Sequence, residues 1–428
     1  MMKNTLFVFI LVLILFSCNK QNNLVFNERV MVVLDSAQWN EPQLLEVIIK
    51  YNQPKDSLKL KATYFLIENM EGQVFESIVP VDSLDSIVEF DARKYYNYTN
   101  MLLAWDSSLN ARGNLIYKCK WFKKDYDTIT SDLLINNIDF AFLAREKFLW
   151  AKQFSFDKFC EYVLPYRVKN ELLYDWRPFF LKQLSWLEDS MKNSNDIFEA
   201  NRLINNYLRS WFRYNQKYDY WQTDQTLEEM LEDSSGRIED IAAINIMALR
   251  SVGIPATTDY IPYPPSVQND CFWNIIYVSD NEAIPFYYSK SDSEKFKIPE
   301  FPSKVYRTTY KTQLFCPANI ELDSANIPEN LNKLNYSDVS EFYNKTKDVE
   351  INLTNIPDST KFAYICVFDS TDWIPIHWGE IIDDKAIFFN MGVNNTYLPA
   401  FYKNNEIIPA GNEFFLNSEG NKDFRIRN

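Results

Sequence analysis

The segment 239–252 constrains the fold of this chain more than any other. Ile241, Ile244, Met247 and Ala248 recur at spacings of three and four, so they share one face of a helix. Gly253 and Pro255 stop that helix. The hydrophobic period then changes. Segments 256–260, 272–278 and 284–288 are short runs with strand character. A helix with an apolar face followed by strands calls for a helix laid on a sheet, an α+β arrangement.

The flanks differ from this centre. Upstream, 28–34 and 41–49 are helical in pattern, with Asn40 expected as N-cap and Pro42 in the first turn. A stronger helix runs over 56–70, with Leu58, Ala62, Phe65 and Leu66 as its stripe. Segment 74–90 is ambiguous, with strand-like pieces. Helices are expected over 125–149, over 155–171 with a break at Pro165, from Arg177 into the 180s, and over 196–213. Phe301-Pro302 reads as a boundary, and 305–313 as a strand. Beyond Val349 the chain is short alternating runs separated by Asn, Asp and Gly turns, which argues for an antiparallel β-sandwich. The expected division is 1–17 signal segment, 18–125 mainly helical, 126–300 α+β, and 301–428 β-sandwich.

The first residues bear on location. Lys3 precedes an uninterrupted run of large apolar residues over 6–16, shorter than the roughly 17–25 residues needed to span a bilayer. Leu15-Phe16-Ser17-Cys18 closes the run and resembles a bacterial lipobox. Cys18 is therefore expected to be acylated and to tether the chain to a lipid membrane in the cell envelope, with the outer membrane as the expected placement. A formal charge of −14 argues against nucleic acid as a partner. The other cysteines, Cys119, Cys160, Cys271, Cys316 and Cys366, are widely spaced and form no CxxC pair. His377 is the sole histidine, so a zinc site is not expected; no cofactor is expected either.

Several segments together resemble multidomain transglutaminase-like lipoproteins of the Bacteroidota. These are DSLKLKATYFLIENM, SFDKFCEYVLPYR, the run from Gly236 to Trp273, KVYRTTY, and WIPIHWG with the NMG, YLPAFY and PAG pieces after it. The resemblance implies a papain-like core that uses a Cys–His–Asp triad. It also implies where that triad stands. The nucleophile position, at a helix start where free N–H groups and the helix dipole stabilise a thiolate, holds Ile238. The histidine position holds Cys271, followed by the family's trailing Trp273 and Asn274. The third position falls near Tyr287. Asp240, two residues after the nucleophile position, is implied to be a structural helix-start residue. Arg250 and Gly253 are implied to be core architecture.

An isoleucine neither attacks a carbonyl nor titrates. A thiol has a reference pKa near 8.5 and lacks imidazole's two nitrogens. The expected reading is therefore a degenerate cleft formed by Ile238, Asp240, Cys271, Trp273 and Tyr287, with no catalytic residue. Tyr260, Tyr263, Tyr287 and Tyr288 are expected to join Trp273 along its walls, either closing it or leaving an aromatic groove. The protein would then be a lipid-anchored binding or scaffolding module for peptide, peptidoglycan or glycan. The alternative is a cysteine hydrolase or peptidase acting on peptide amides through a relocated nucleophile, Cys271. A third reading, glycan recognition by the C-terminal β domain, requires a surface patch of Trp or Tyr rings there.

Overall fold

The computed structural model describes residues 26–263, 272–286, 301–321 and 323–424. The first helices are Glu28–Ala37, Glu41–Tyr51 and Ser57–Glu68. Asn27 caps the first, accepting from the Val30 N–H at 2.8 Å. Asn40 precedes the second but makes no side-chain cap bond. Its amide instead donates to the Tyr126 and Ile129 carbonyls at 3.0 and 2.9 Å, so its role is tertiary. The ambiguous segment is a strand, Val74–Val81, paired antiparallel with Ile116–Lys124 across the helix Tyr98–Arg112.

One apolar core joins Val33, Leu44 and Leu66 to Ile138 of helix Ser131–Lys147, to Phe159 and to Tyr310. The boundary expected at 125/126 runs through this core.

The central helix is Ile238–Ser251. Ile241, Ile244, Met247 and Ala248 are buried as expected, and so is every other residue from Asp240 to Ser251. Burial on all sides follows from what surrounds it. On one side the helix meets a five-stranded sheet in the order Glu282–Phe286, Phe272–Ser279, Ala256–Tyr260, Tyr306–Thr308, Tyr336–Asp338. The Asn274 amide on that sheet donates to the Ala242 carbonyl at 3.1 Å. On the other sides lie helices Arg177–Gln183 and Ile197–Trp211.

The long helix expected from Arg177 into the 180s does reach them but has only seven residues, Arg177–Gln183, and the chain resumes helix as Leu187–Ser190. Arg177 itself is buried. It donates to Asn137 Oδ1 at 2.6 Å and to the Arg250 and Leu164 carbonyls at 3.1 and 2.9 Å, serving backbone oxygens at a helix end.

Two strands of the central sheet come from beyond residue 301, so the sheet crosses the expected 300/301 boundary. The strand expected over 305–313 is only Tyr306–Thr308. After it the chain turns into the N-terminal core. There the Tyr310 hydroxyl donates to the Leu66 carbonyl at 3.1 Å, and the Thr312 N–H to Asn69 Oδ1 at 2.9 Å.

The C-terminal strands form one eight-stranded antiparallel sheet among the described residues, in place of the expected sandwich of two sheets. The path runs Thr346–Asn352, Lys385–Gly392, Trp373–Ile382, Phe362–Phe368, Asn395–Lys403, Phe414–Leu416, Lys422–Phe424, with Glu406–Pro409 on Asn395–Lys403. Register shifts at Lys347/Val349 and Ile365/Cys366 help it bend. It curls until its edges approach. Lys422 Nζ donates to the Glu350 carbonyl and Lys345 Nζ to the Ser418 carbonyl, both at 2.7 Å. Val349, Ile365, Phe388, Tyr397 and Leu416 thereby share one interior.

His377 joins this sheet to the central one. Its Nδ1 lies 2.7 Å from the Tyr306 hydroxyl, while Nε2 is buried with no partner among the described residues. Burial, reinforced by the charge of Lys304, holds its pKa well below the ordinary histidine value. The folded state therefore binds fewer protons than the unfolded one once pH falls below about 6.5, and stability is lost as pH drops through that range. The expected slope from this residue approaches about 1.4 kcal/mol per pH unit. Urea unfolding at pH 7.5 and 5.5, compared with His377→Asn, reads it as a steeper acid loss in the unsubstituted protein. Parallel pH profiles, or a folded-state His377 ring proton titrating near 6.5, would contradict it.

Candidate functional site

The start of the central helix is built by a short parallel pairing of Arg213–Tyr214 with Ser235–Gly236. Gly236 sits where a Cβ would lie 2.4 Å from Gln225 Oε1 and 2.8 Å from Asp240 Cβ, so a side chain there would force both apart. Arg237 is the extended N-cap residue and Ile238 the first helical residue. Ile238 is half-buried and packs on the central core.

Asp240 occupies the third helical position. Its Oδ2 accepts the Arg237 N–H at 2.8 Å, and Oδ1 accepts the Gln225 N–H at 3.3 Å. The Arg237 guanidinium donates to both Asp240 oxygens at 3.2 Å, to Asp224 Oδ1 at 2.7 Å and to the Gln222 carbonyl at 2.9 Å. Burial raises the Asp240 carboxyl above its ordinary value, against the pull of Arg237. At Asp224 burial acts the same way but is outweighed by Lys169 and Arg237, which hold that carboxyl low. Both carboxylates thus join the helix start to the 222–225 loop.

Trp273 is buried. Its indole N–H donates to the Tyr343 hydroxyl at 3.0 Å, with the rings edge to face at 5.1 Å. Opposite Trp273 in the sheet stands Asp259, and opposite Asp259 stands Arg307. Arg307 grips Asp259 in a bidentate pair at 2.7 and 2.7 Å and also donates to the Tyr277 hydroxyl at 2.6 Å. The Tyr343 hydroxyl donates to Asp259 Oδ2 at 2.6 Å. Sequence reasoning missed this network. Its signal was a single carboxylate in TTDY and a single guanidinium in VYRTTY, each inside an otherwise uncharged strand run.

Cross-strand partners in an antiparallel sheet share a face. Trp273, Asp259 and Arg307 therefore lie on one face, and Phe272, Tyr260 and Tyr306 on the other. Tyr260 and Trp273 do not line a common cleft, contrary to expectation, because one-residue neighbours in a strand point to opposite sides. Tyr263 turns towards the C-terminal sheet and donates to Asp369 Oδ2 at 2.7 Å. Cys18, Cys271, Tyr287 and Tyr288 lie outside the described residues.

Cys119 is exposed on the Ile116–Lys124 strand, whereas Cys160, Cys316 and Cys366 are buried; all four are free thiols. Burial pushes the Cys160 and Cys366 thiols far up, which keeps them neutral. Among the described residues no group of three or more His, Cys, Asp or Glu side chains is placed to hold a metal. Two surface cavities, of about 330 and 490 Å³, lie away from the helix start. The first is on the C-terminal sheet and the second beside helix Tyr98–Arg112.

Residues 185–287 match the family model of the transglutaminase-like superfamily. The matched stretch contains the central helix and the strands Ala256–Tyr260, Phe272–Ser279 and Glu282–Phe286. No curated protein and no solved structure matches the chain. The chain thus carries a transglutaminase-like domain, set between a mainly helical region and a curled antiparallel sheet.

Proposed function

We propose that this protein is a lipid-anchored component of the bacterial cell envelope whose transglutaminase-like domain is catalytically silent. In this reading the papain-like core persists as a scaffold, and the protein binds peptide, peptidoglycan or glycan. Cys18 carries the acyl anchor, with the outer membrane as its site and Bacteroidota as its origin. The described residues contain no helix long and apolar enough to cross a membrane.

One observation carries the proposal. The first residue of the central helix, inside the matched domain, is Ile238. Its neighbours Arg237 and Asp240 are committed to each other and to the adjoining loop. Thiol catalysis needs a thiolate, a proton acceptor and their geometry together. The alkyl group of Ile238 supplies none of these. At the other two triad positions, a thiol at 271 and a phenol at 287 replace imidazole and carboxylate.

The expected result is no turnover of peptide amides or wall peptides. Ile238→Cys alone is expected to restore nothing, because triad members act as a unit. Only joint replacement with Cys271→His and Tyr287→Asp re-creates the full set. The deciding comparison is the mature protein against Cys271→Ala. Turnover abolished by that substitution would establish a relocated nucleophile and overturn the silent-domain reading. Intact mass of the membrane fraction checks the anchor, which requires cleavage before Cys18 with acyl chains added.

A further inference from the structure

The cavity on the C-terminal sheet has the makings of a binding site. It has a volume of about 330 Å³, at the lower end of the roughly 300–1,000 Å³ of small-ligand pockets. One wall is aromatic. Phe368 and Trp373 are cross-strand partners at the end of a hairpin, with rings 5.4 Å apart. Phe368 is 48% exposed, so part of its ring is open to a ligand.

The turn that presents this pair is rigid. Asp369 Oδ1 accepts from the Thr371 N–H and the Asp372 N–H, both at 2.7 Å, and from the Thr371 hydroxyl at 2.8 Å. Its Oδ2 is taken by Tyr263, which arrives from the transglutaminase-like domain. These bonds hold the Asp369 carboxyl far below its ordinary range. The aromatic wall is therefore fixed before any ligand arrives, which lowers the entropic cost of binding.

The other wall is polar. Ser303, Asn395, Thr396 and Glu413 line it. Ser303 is 2% exposed, and its hydroxyl has no hydrogen-bond partner among the described residues. A buried hydroxyl left unpaired costs on the order of 1–3 kcal/mol, and a ligand hydroxyl would relieve that cost. The Asn395 amide group is spent on the Phe301, Val393 and Gly392 carbonyls at 3.0, 3.0 and 3.3 Å. Those bonds fix the orientation of the side chain and leave its Oδ1 as an acceptor. Glu413 is the one charged residue in the lining, and it is acidic.

We propose that this cavity is a subsite for one hydroxyl-rich pyranose ring of a glycan, stacked on Trp373 and Phe368 and hydrogen-bonded by Ser303, Asn395 and Thr396. The aromatic wall suits the apolar C–H face of a sugar ring. The hydroxyl and amide wall suits its rim. This inference names a ligand class for the binding role proposed above and stands at a site separate from the start of the central helix.

The test uses the mature chain and saturation-transfer NMR with titration calorimetry. The probes are glucose, galactose and N-acetylglucosamine and their β-linked disaccharides. At least one is expected to bind at millimolar concentration, with transfer strongest to protons on one ring face. Trp373→Ala is expected to weaken that binding at least about tenfold, and Trp373→Phe to retain most of it. Ser303→Ala removes only a buried unpaired hydroxyl, so it is expected to weaken binding without lowering the unfolding midpoint. Trp121→Ala, on the distant ribbon, is the control for nonspecific loss. Absence of binding by every probe overturns the proposal, as does binding untouched by both Trp373→Ala and Ser303→Ala. Choline or lysine methyl ester binding in place of the sugars, lost in Glu413→Gln, would reassign the cavity to cations and equally overturn it. None of these outcomes depends on turnover of peptide amides, which alone decides the silent-domain reading.

Discussion

Replacing Arg307 by methionine is expected to destabilise the protein by about 3–5 kcal/mol. The loss comes less from the missing attraction than from what stays behind. Asp259 is fully buried, and both its oxygens are served by Arg307 at 2.7 Å. Without the guanidinium, a buried carboxylate keeps, among the described residues, only the Tyr343 hydroxyl. The Tyr277 hydroxyl loses its donor as well. Replacing both partners, with Asp259→Leu added to Arg307→Met, is expected to recover a substantial part of the loss, because no unpaired charge then remains. It should not recover all of it, since the Tyr277 hydroxyl loses its guanidinium donor and the Tyr343 hydroxyl, which still accepts from Trp273, loses its carboxylate acceptor. Urea unfolding at neutral pH measures all three variants. A loss below about 1 kcal/mol for Arg307→Met would mean that water reaches Asp259, as at a surface pair.

Gly253→Ala carries the other large effect, expected at about 2–5 kcal/mol. Two separate penalties meet there. The backbone φ is +78°, a conformation that residues with a Cβ adopt only under strain. A Cβ would also lie 2.7 Å from the Ala151 Cβ, closer than packed carbon atoms come. Ala151→Gly in the same chain removes the second penalty and leaves the first, so about half the loss should return. Full rescue would place the whole effect in packing, and no rescue would place it in the backbone. The same measurement tests whether the turn after the central helix is indispensable to the transglutaminase-like domain.

That turn also shows what was legible in the sequence. The central helix, its stop at Gly253 and the strands after it came from local pattern, because a helical stripe and a chain reversal are written in consecutive residues. The C-terminal strands were legible for the same reason: 361–368 and 373–381 alternate or run apolar between Asn and Asp turns. Arg177 was harder. Its helix began where expected but is short, and the Arg250 and Leu164 carbonyls that its guanidinium serves lie in other elements.

The candidate site divides in the same way. Ile238 at a helix start and Asp240 in the first turn were readable from spacing and resemblance. The Asp259–Arg307 pair was not, since its partners are 48 residues apart and meet only when Tyr306–Thr308 adds to the central sheet. Tyr260 and Trp273 were grouped by residue type, yet the sheet register sends them to opposite faces. The cavity beside Trp373 could not be read at all, because its walls come from three strand ends and the 301–303 linker.

The amino-acid order alone determined the central helix, the strands after it, the strand character beyond Val349, and that the helix-start position carries an alkyl group. Those properties depend on neighbours within a few residues. Only the tertiary structure decided that the central sheet draws strands from both sides of residue 301, that the C-terminal strands curl into one sheet, and that Asn40 and Tyr310 serve a shared core. Those outcomes turn on register, on buried groups finding partners far along the chain, and on the twist that brings sheet edges together, and none of these is encoded at short range.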